Sequence, residues 1–293
     1  MADRDEGEGP EISGEQKKEI AKWLLTNAPA GEIQYVAKDV RSVLMDDVAY
    51  EAAAAVAFPI YNKAHLLSLA MPDRSGDVII SKFGEIDSES FLDPRTAQVA
   101  IVDHVKQICT KVRPATDEEL PCSYIEEFRA LLDAELCKYV DETYSKGTCA
   151  VYCTKGKTWK DQEQFSNLRN GSWRSIWIVE FKDDLQVVEL KGKLQVGAHY
   201  FEEGNVQLDS TNECKDSTMV QSPDDSAISI ANIIRHHETE YMASLEGSYF
   251  NLPDTTFKDL RRKLPVTRTL FPWHSTSQFS LTREISKELG IGK

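Results

Sequence analysis

The chain has 293 residues, of which 41% are hydrophobic and 9% aromatic, so it can bury a sizeable core and is not collagen-like, low-complexity or wholly disordered. Acidic residues outnumber basic residues by 48 to 34, and the formal charge of −14 opposes general nucleic-acid binding, which needs a surplus of Lys and Arg. We therefore expect a soluble globular protein that does not bind nucleic acid.

Neither a membrane span nor a secretory leader is expected. The longest apolar run without a charge, Ala52 to Asn62, has eleven residues and includes Pro59, whereas a span needs about 20 residues. The start of the chain, Met1 to Glu6, is acidic and lacks the apolar segment of a signal peptide. We expect a cytoplasmic protein with no transmembrane segment, and such a protein keeps its cysteines reduced. The six are Cys109, Cys122, Cys137, Cys149, Cys153 and Cys214.

Residues 1–64 are predicted to form an N-terminal region of three short packed helices. Ser13 to Gln16 has the S-x-x-Q form of a capping box, and Ala28 to Gly31 interrupts the first helix. Apolar residues recur at helical spacing in all three segments. They are Ile20, Trp23 and Leu24, then Ile33, Val36, Val40, Val43 and Leu44, and then Val48, Ala52, Ala55 and Val56.

Residues 65–148 are predicted to combine short strands with one long helix. The apolar pieces Asp77–Ser81 and Gln98–Val102 indicate strands. A second capping box, Thr116 to Glu119, precedes an amphipathic pattern that continues for about seven turns and ends near Gly147.

Residues 149–257 are predicted to form an antiparallel meander and a long covering helix. From Val188 to Tyr200 apolar and polar residues alternate with period two, and Glu202–Asn205 indicates a hairpin loop. Ser222 and Pro223 start a long helix whose apolar stripe would cover one face of the sheet. The predicted fold class is therefore α+β, with a central antiparallel sheet.

Residues 258–293 are predicted to form a basic amphipathic tail. They contain eight Lys or Arg and three Asp or Glu, a net charge of +5, so the rest of the chain carries −19. Such a tail suggests a contact surface for an acidic partner, and a solvated tail without a partner fits the composition equally well. The tail has a basic cluster followed by an apolar stripe at i, i+4 spacing. These residues are Lys258, Arg261, Arg262 and Lys263, and then Leu281, Ile285 and Leu289.

No local motif favours catalysis or metal binding. Gly156–Thr158 lacks the first glycine of a phosphate loop, and His236–Glu240 lacks the second histidine of a zinc helix. We interpret His237 as a hydrogen-bonded core histidine, and Cys149 and Cys153 as core thiols on one face of a strand. A catalytic triad whose three residues are far apart in the sequence stays an open alternative. We expect that the protein is not an enzyme and that it has no catalytic residue, no bound metal and no cofactor.

Three segments together resemble the alpha subunit of the heterodimeric F-actin capping protein: Asn170–Trp177, His199–Leu208 and Asp254–Thr269. Weaker agreement at Ala28–Glu32 and Phe91–Arg95 extends the resemblance to nearly the whole chain. It implies an elongated α+β protein whose beta subunit has a similar fold, the two sheets joining into one. It also implies a heterodimer that caps the barbed, fast-growing end of actin filaments without nucleotide or metal chemistry.

The resemblance further implies that the tail, called the tentacle in this family, binds actin. The family's basic positions fall on Lys258 and Arg262, while a third is Leu270 here. Either the contact with actin or phosphoinositides is weaker at that position, or Arg268 compensates. The implied partners are the beta subunit and the filament end, with acidic phospholipids as a further candidate. The implied actin-binding residues are Lys258, Arg261, Arg262, Arg268, Leu281, Ile285 and Leu289.

Two rival functions remain from the sequence. The first is a scaffold of the same fold that binds another acidic partner. The second is a hydrolase, which would require a cleft with convergent groups of perturbed pKa.

Overall fold

The computed structural model describes residues 12–120, 123–144, 147–153, 158–168, 171–181, 187–200 and 206–251. Backbone contacts divide the chain into two compact units, residues 1–237 and 238–293. Of the second unit, the structure describes residues 238–251, which form the last part of a long helix. The contacts reported below all lie within the first unit.

Three helices form at the N-terminus, as predicted. The capping box at Ser13 is present, because its hydroxyl accepts from the backbone N–H of Gln16 while the Gln16 side chain accepts from the backbone N–H of Ser13. Asp46 caps the third helix through the N–H of Ala49. The helices are α1 (Gly14–Thr26), α2 (Ile33–Leu44) and α3 (Asp47–Ala64).

The predicted core faces of α1 and α3 are wrong by one residue. Ala21 and Leu25 of α1 are buried, whereas Trp23 is 65% exposed; in α3 Ala53 is buried and Val48 is 81% exposed. Small alanines on both helices let the two backbones approach closely, so packing favours the alanine faces over the larger residues beside them. The apolar face predicted for α2 is correct at Ile33 and Val40, which are buried, and wrong at Val43, which is exposed.

Although α3 carries the longest apolar run, no helix in the described ranges has both the length and the hydropathy needed to cross a membrane.

Two small antiparallel sheets follow, and they include both predicted strands. One pairs β1 with β2, and the other has the order β3-β4-β5. Val78, Ile80, Phe91, Ala100 and Val102 form a core between them. The strands are β1 (Ser68–Ala70), β2 (Asp77–Ile79), β3 (Ser90–Asp93), β4 (Gln98–Asp103) and β5 (Ile108–Pro114).

The long helix α4 spans Ser123–Thr143 and starts later than its predicted cap. Residues 117–119 form a turn instead, in which the Glu119 carboxylate accepts from the N–H of Thr116 at 2.8 Å and binds Arg113. A helix begun at Thr116 would place Pro121 in its interior, where proline lacks an N–H and clashes with the preceding turn. The capping signal was therefore only a local turn.

The predicted meander is confirmed as a five-stranded antiparallel sheet with the order β6-β7-β8-β9-β10. On one face Trp177 lies opposite Gly192, and Trp173 lies opposite Val196. The predicted hairpin loop at Glu202–Asn205 lies outside the described residues. The strands are β6 (Val151–Cys153), β7 (Thr158–Leu168), β8 (Gly171–Phe181), β9 (Val187–Tyr200) and β10 (Val206–Met219).

The helix α5 (Pro223–Asn251) begins at the predicted cap, where the Ser222 hydroxyl accepts from the N–H of Asp225 at 3.2 Å. Its first half lies on the face of the sheet that carries Trp177. The interpretation of His237 as hydrogen-bonded is confirmed, because its Nε2 lies 3.0 Å from an Asp216 carboxylate oxygen of β10, but the side chain is half-buried and not part of the fully buried core. The α+β class with antiparallel sheets is therefore confirmed.

A stability prediction follows from Gly192. A methyl group there would lie 2.6 Å from the Cys214 sulfur and 2.7 Å from the ring of Trp177, which is fully buried. We expect Gly192→Ala to lower the free energy of unfolding by about 1–3 kcal/mol through overpacking. Chemical denaturation measures it. The matched control is Gly14→Ala, where an added methyl meets nothing within 4 Å, and it should cost nothing. Equal stability of the two variants would contradict this packing.

Candidate protein-interaction surfaces

The outer edge of β10 is the first candidate surface. In the described part of the chain β10 is the last strand of the sheet, and its 14 residues span about 48 Å. The strand at the opposite end, β6, has only three residues. A long edge is a template for pairing with another chain unless it is blunted or covered. β10 is thus the edge better suited to receive a strand from a partner.

The β10 edge is regular as well as long. Its register with β9 runs without a shift from Val206, opposite Tyr200, to Met219, opposite Val187. Proline and bulges, which commonly protect edges, do not occur in it. Exposed apolar side chains occur on this strand: Leu208 near its start and Met219 at its end. These features favour a protein partner.

The face of the five-stranded sheet opposite to the one that carries Trp177 contacts the N-terminal helices. Nδ1 of His199 on β9 lies 2.9 Å from the Glu32 carboxylate, just before α2. Arg174 on β8 donates to the carbonyl oxygen of Ala64, at the end of α3. His65 stacks on Tyr61 with ring centroids 4.0 Å apart. The sheet and the helical region are therefore joined by packing and by polar contacts that are partly buried or exposed.

Burial lowers the pKa of His65 from its ordinary value of 6.5 to about 3, and the nearby charge of Arg174 acts in the same direction. The Nδ1 atom of His65 is buried without a hydrogen-bond partner in the structure. The imidazole is therefore neutral at physiological pH.

This half-buried histidine predicts acid sensitivity. Below pH 6.5 the unfolded chain gains a proton on His65 that the folded chain does not, so stability falls as pH drops toward about 3. Between pH 6.5 and 5 we expect His65 to account for a loss of about 1.6 kcal/mol. Denaturation at several pH values should show that His65→Asn flattens this slope, whereas exposed His236→Asn keeps it. An unchanged slope in His65→Asn would contradict the assignment.

A groove of about 500 Å³ lies beside α3 and the β3-β4-β5 sheet. The histidine that lines the groove, His104, makes hydrogen bonds within the protein. Its Nδ1 lies 3.2 Å from the Asn62 amide nitrogen, and its Nε2 lies 2.8 Å from the Ser88 carbonyl oxygen. Hydrogen bonds from the backbone and side chain of Lys106 lower the pKa of Asp103. The imidazole of His104 and the carboxylate of Asp103 are therefore already paired within the fold.

One cluster in the described part of the chain has the spacing of a metal site. Ligand atoms of Asp133, Cys137 and Cys149 lie within 4.8 Å of one another. Arg95 donates to all three residues: to Asp133 at 2.8 and 3.0 Å, to the Cys137 sulfur at 2.9 Å and to the Cys149 carbonyl oxygen at 3.0 Å. A guanidinium cation already compensates this cluster, so we assign no metal to it.

The same cluster corrects the interpretation of Cys149. It is buried, as expected of a core thiol, but it precedes β6, and its sulfur lies 3.5 Å from that of Cys137 on α4. The predicted placement of Cys149 and Cys153 on one face of a strand is therefore wrong, because β6 begins at Val151, and Cys153 is only half-buried. The sequence could not reveal this pair, because Arg95, Cys137 and Cys149 come from three separate segments.

All seven residues that the resemblance implies for actin binding lie between positions 252 and 293, outside the described residues. They are Lys258, Arg261, Arg262, Arg268, Leu281, Ile285 and Leu289.

Comparison with known proteins gives consistent results. A family sequence model described as F-actin capping protein alpha subunit matches residues 21–284. The chain is 63% identical to an F-actin-capping protein subunit alpha of Arabidopsis thaliana, with 100% of both chains covered. It is 34% identical to the subunit of the same name from Dictyostelium discoideum, over 94% of this chain and 99% of that one.

A solved structure shares the fold. It is a homodimeric actin capping protein alpha subunit from Plasmodium berghei, with a TM-score of 0.71 at 22% identity, covering 87% of this chain and 99% of that one. At this identity the likeness supports the fold alone.

Proposed function

Because the chain belongs to the F-actin capping protein alpha subunit family, we propose that it pairs with a beta subunit and that the heterodimer caps the barbed ends of actin filaments. The cap blocks both addition and loss of actin subunits, in the cytoplasm and at the actin cytoskeleton. The observation that carries this function is the 63% identity to the Arabidopsis subunit over the full length of both chains.

The β10 edge is the proposed site of pairing with the beta subunit. Strand addition there would pair the partner with a 14-residue strand and extend the sheet across the heterodimer. Exposed Leu208 and Met219 belong to this strand, so a partner strand would run beside them. A permanent complex of this kind buries more than about 2,000 Å².

The basic tail is the proposed contact with actin. The tail has a net charge of +5, whereas the rest of the chain carries −19. The positive tail therefore favours contact with the acidic surface of actin. Lys258, Arg261, Arg262 and Arg268 would guide the encounter, and the stripe of Leu281, Ile285 and Leu289 would prolong binding. The same cations would also attract acidic phospholipids, which would then compete with actin.

Co-expression and filament elongation together test this proposal. The chain should purify as a heterodimer with the beta subunit and should aggregate when expressed alone. The heterodimer should stop elongation from barbed-end seeds at substoichiometric amounts. An intact heterodimer that leaves elongation unchanged would favour the scaffold function. A stable homodimer that caps without a beta subunit would contradict the proposed pairing.

A further inference from the structure

The guanidinium of Arg95 is held firmly beside two thiols. Its two hydrogen bonds to Asp133 form a bidentate ion pair, and the Asp133 side chain is only 7% exposed. With the guanidinium anchored in this way, its Nη2 donates to the Cys137 sulfur at 2.9 Å. The Cys149 sulfur lies 3.5 Å from that of Cys137. One cation therefore faces a close dithiol pair.

We propose that Cys137 and Cys149 are a redox modification site, a dithiol that a peroxide converts into an intramolecular disulfide, with Arg95 as the residue that positions and activates Cys137. This inference rests on the cluster alone and is independent of the capping function.

The two sulfurs have different environments, which separates their roles. Cys137 is half-buried and lies beside the partly exposed Arg95, so a small oxidant can reach it, whereas Cys149 is buried. A hydrogen bond from Cys149 lowers the pKa of Cys137, and Arg95 acts in the same direction, against burial and the carboxylates of Asp133 and Asp141. The same hydrogen bond, together with burial, raises the pKa of Cys149. Cys137 is thus the attacking thiolate and Cys149 the resolving thiol.

The chemistry balances in two steps. The Cys137 thiolate attacks one oxygen of hydrogen peroxide; an S–O bond forms, the O–O bond breaks, and hydroxide leaves, so sulfur is oxidised and peroxide reduced. The Cys149 sulfur then attacks the Cys137 sulfenic sulfur; the S–S bond forms, the S–O bond breaks, and the departing oxygen leaves as water with the Cys149 proton. A dithiol reductant reverses the change by thiol–disulfide exchange.

The geometry requires little movement. The two sulfurs must approach from 3.5 Å to about 2.05 Å, and Cys149 lies in residues 147–150, which are neither helix nor strand. The bond would tie α4 to the segment that leads into β6. It would also remove the thiolate that accepts from Arg95, so oxidation changes the junction of β3, α4 and β6.

Peptide mapping of the full-length chain, in the complex in which it purifies, tests the proposal without any substitution. After brief exposure to hydrogen peroxide and alkylation, the main product should be a Cys137–Cys149 disulfide that dithiothreitol reverses. At pH 7 iodoacetamide should modify Cys137 about tenfold faster than Cys109, whose pKa is raised by burial. Preferential oxidation of Cys109 or Cys214, or zinc bound at the cluster in native mass spectrometry, would overturn it.

Two variants separate the roles. Cys149→Ser keeps a hydrogen-bond donor and should trap Cys137 as a sulfenic acid that dimedone labels, whereas Cys153→Ser should still form the disulfide. Arg95→Gln should shift the pH midpoint for alkylation of Cys137 upward. If that variant fails to fold because Asp133 loses its partner, the comparison of Cys137 with Cys109 in the unmodified chain still decides. A disulfide that forms equally in Cys149→Ser would contradict the assignment.

Discussion

Reversing Lys258 and Arg262 to Glu should slow association of the heterodimer with barbed ends by about a hundredfold at low salt. A spacing of four predicts one helix face for both residues, so they act on the same patch of actin. Complementary charge acts mainly on the encounter rate and is screened over about 8–10 Å at physiological salt. The salt dependence of association should therefore flatten. Stopped-flow or single-filament kinetics across a salt titration measure both effects.

The matched control changes the same total charge on the folded body. Lys38 and Lys111 are exposed, and their double replacement by Glu should leave the association rate within about twofold. Circular dichroism and co-purification with the beta subunit must be normal in both double variants. If reversal at Lys258 and Arg262 leaves the rate and its salt dependence unchanged, the basic cluster is a solvated face and actin binds elsewhere.

Replacing Leu281, Ile285 and Leu289 together with Ala should speed dissociation from filament ends by about ten- to a hundredfold while association changes little. Removing apolar contact area shortens the lifetime of a complex more than it slows encounter. The heterodimer should remain folded, because the buried core of the described residues does not involve these three side chains. Filament re-growth after dilution of free heterodimer measures the dissociation rate directly.

A second triple variant serves as the control for the stripe. Thr282, Arg283 and Lys287 lie between the apolar positions, and their replacement by Ala should change dissociation far less than loss of the stripe. Equal dissociation rates in the two triple variants would reduce the terminal segment to a passive end. Dissociation unchanged by removal of the stripe would do the same.

The sequence predicted those elements whose cause is local. The Ser13 capping box and the Ser222 cap place two helix starts correctly, since each depends on side chains within a few residues. The alternation from Val188 to Tyr200 predicted β9 because period two directly separates the faces of a strand. The α+β class follows from these elements together.

The predictions from the sequence are wrong where contacts between residues far apart in the chain determine the structure. α1 buries Ala21 rather than Trp23 because close approach to α3 needs small side chains, and spacing within one helix cannot show that choice. The sequence from Thr116 to Glu119 has the form of a helix cap, but Pro121 follows it and residues 117–119 form a turn. The proposed redox site depends on three segments that only the fold brings together.

The proposed actin-binding residues depend mostly on family resemblance. Composition and spacing predict a basic cluster and an apolar stripe in the tail, but neither identifies actin as the partner. The β10 edge, in contrast, could not be recognised from the sequence as an interaction surface, because its position at the end of the sheet depends on the order of all five strands.

Watching both ends of single actin filaments by fluorescence microscopy tests the central claim most directly. With the purified heterodimer present, growth at the fast end should stop abruptly and stay stopped, while the slow end of the same filament continues to grow. Continued growth at both ends would contradict barbed-end capping. Equal slowing of both ends would also contradict it, because that result indicates binding to actin monomers rather than to the filament end.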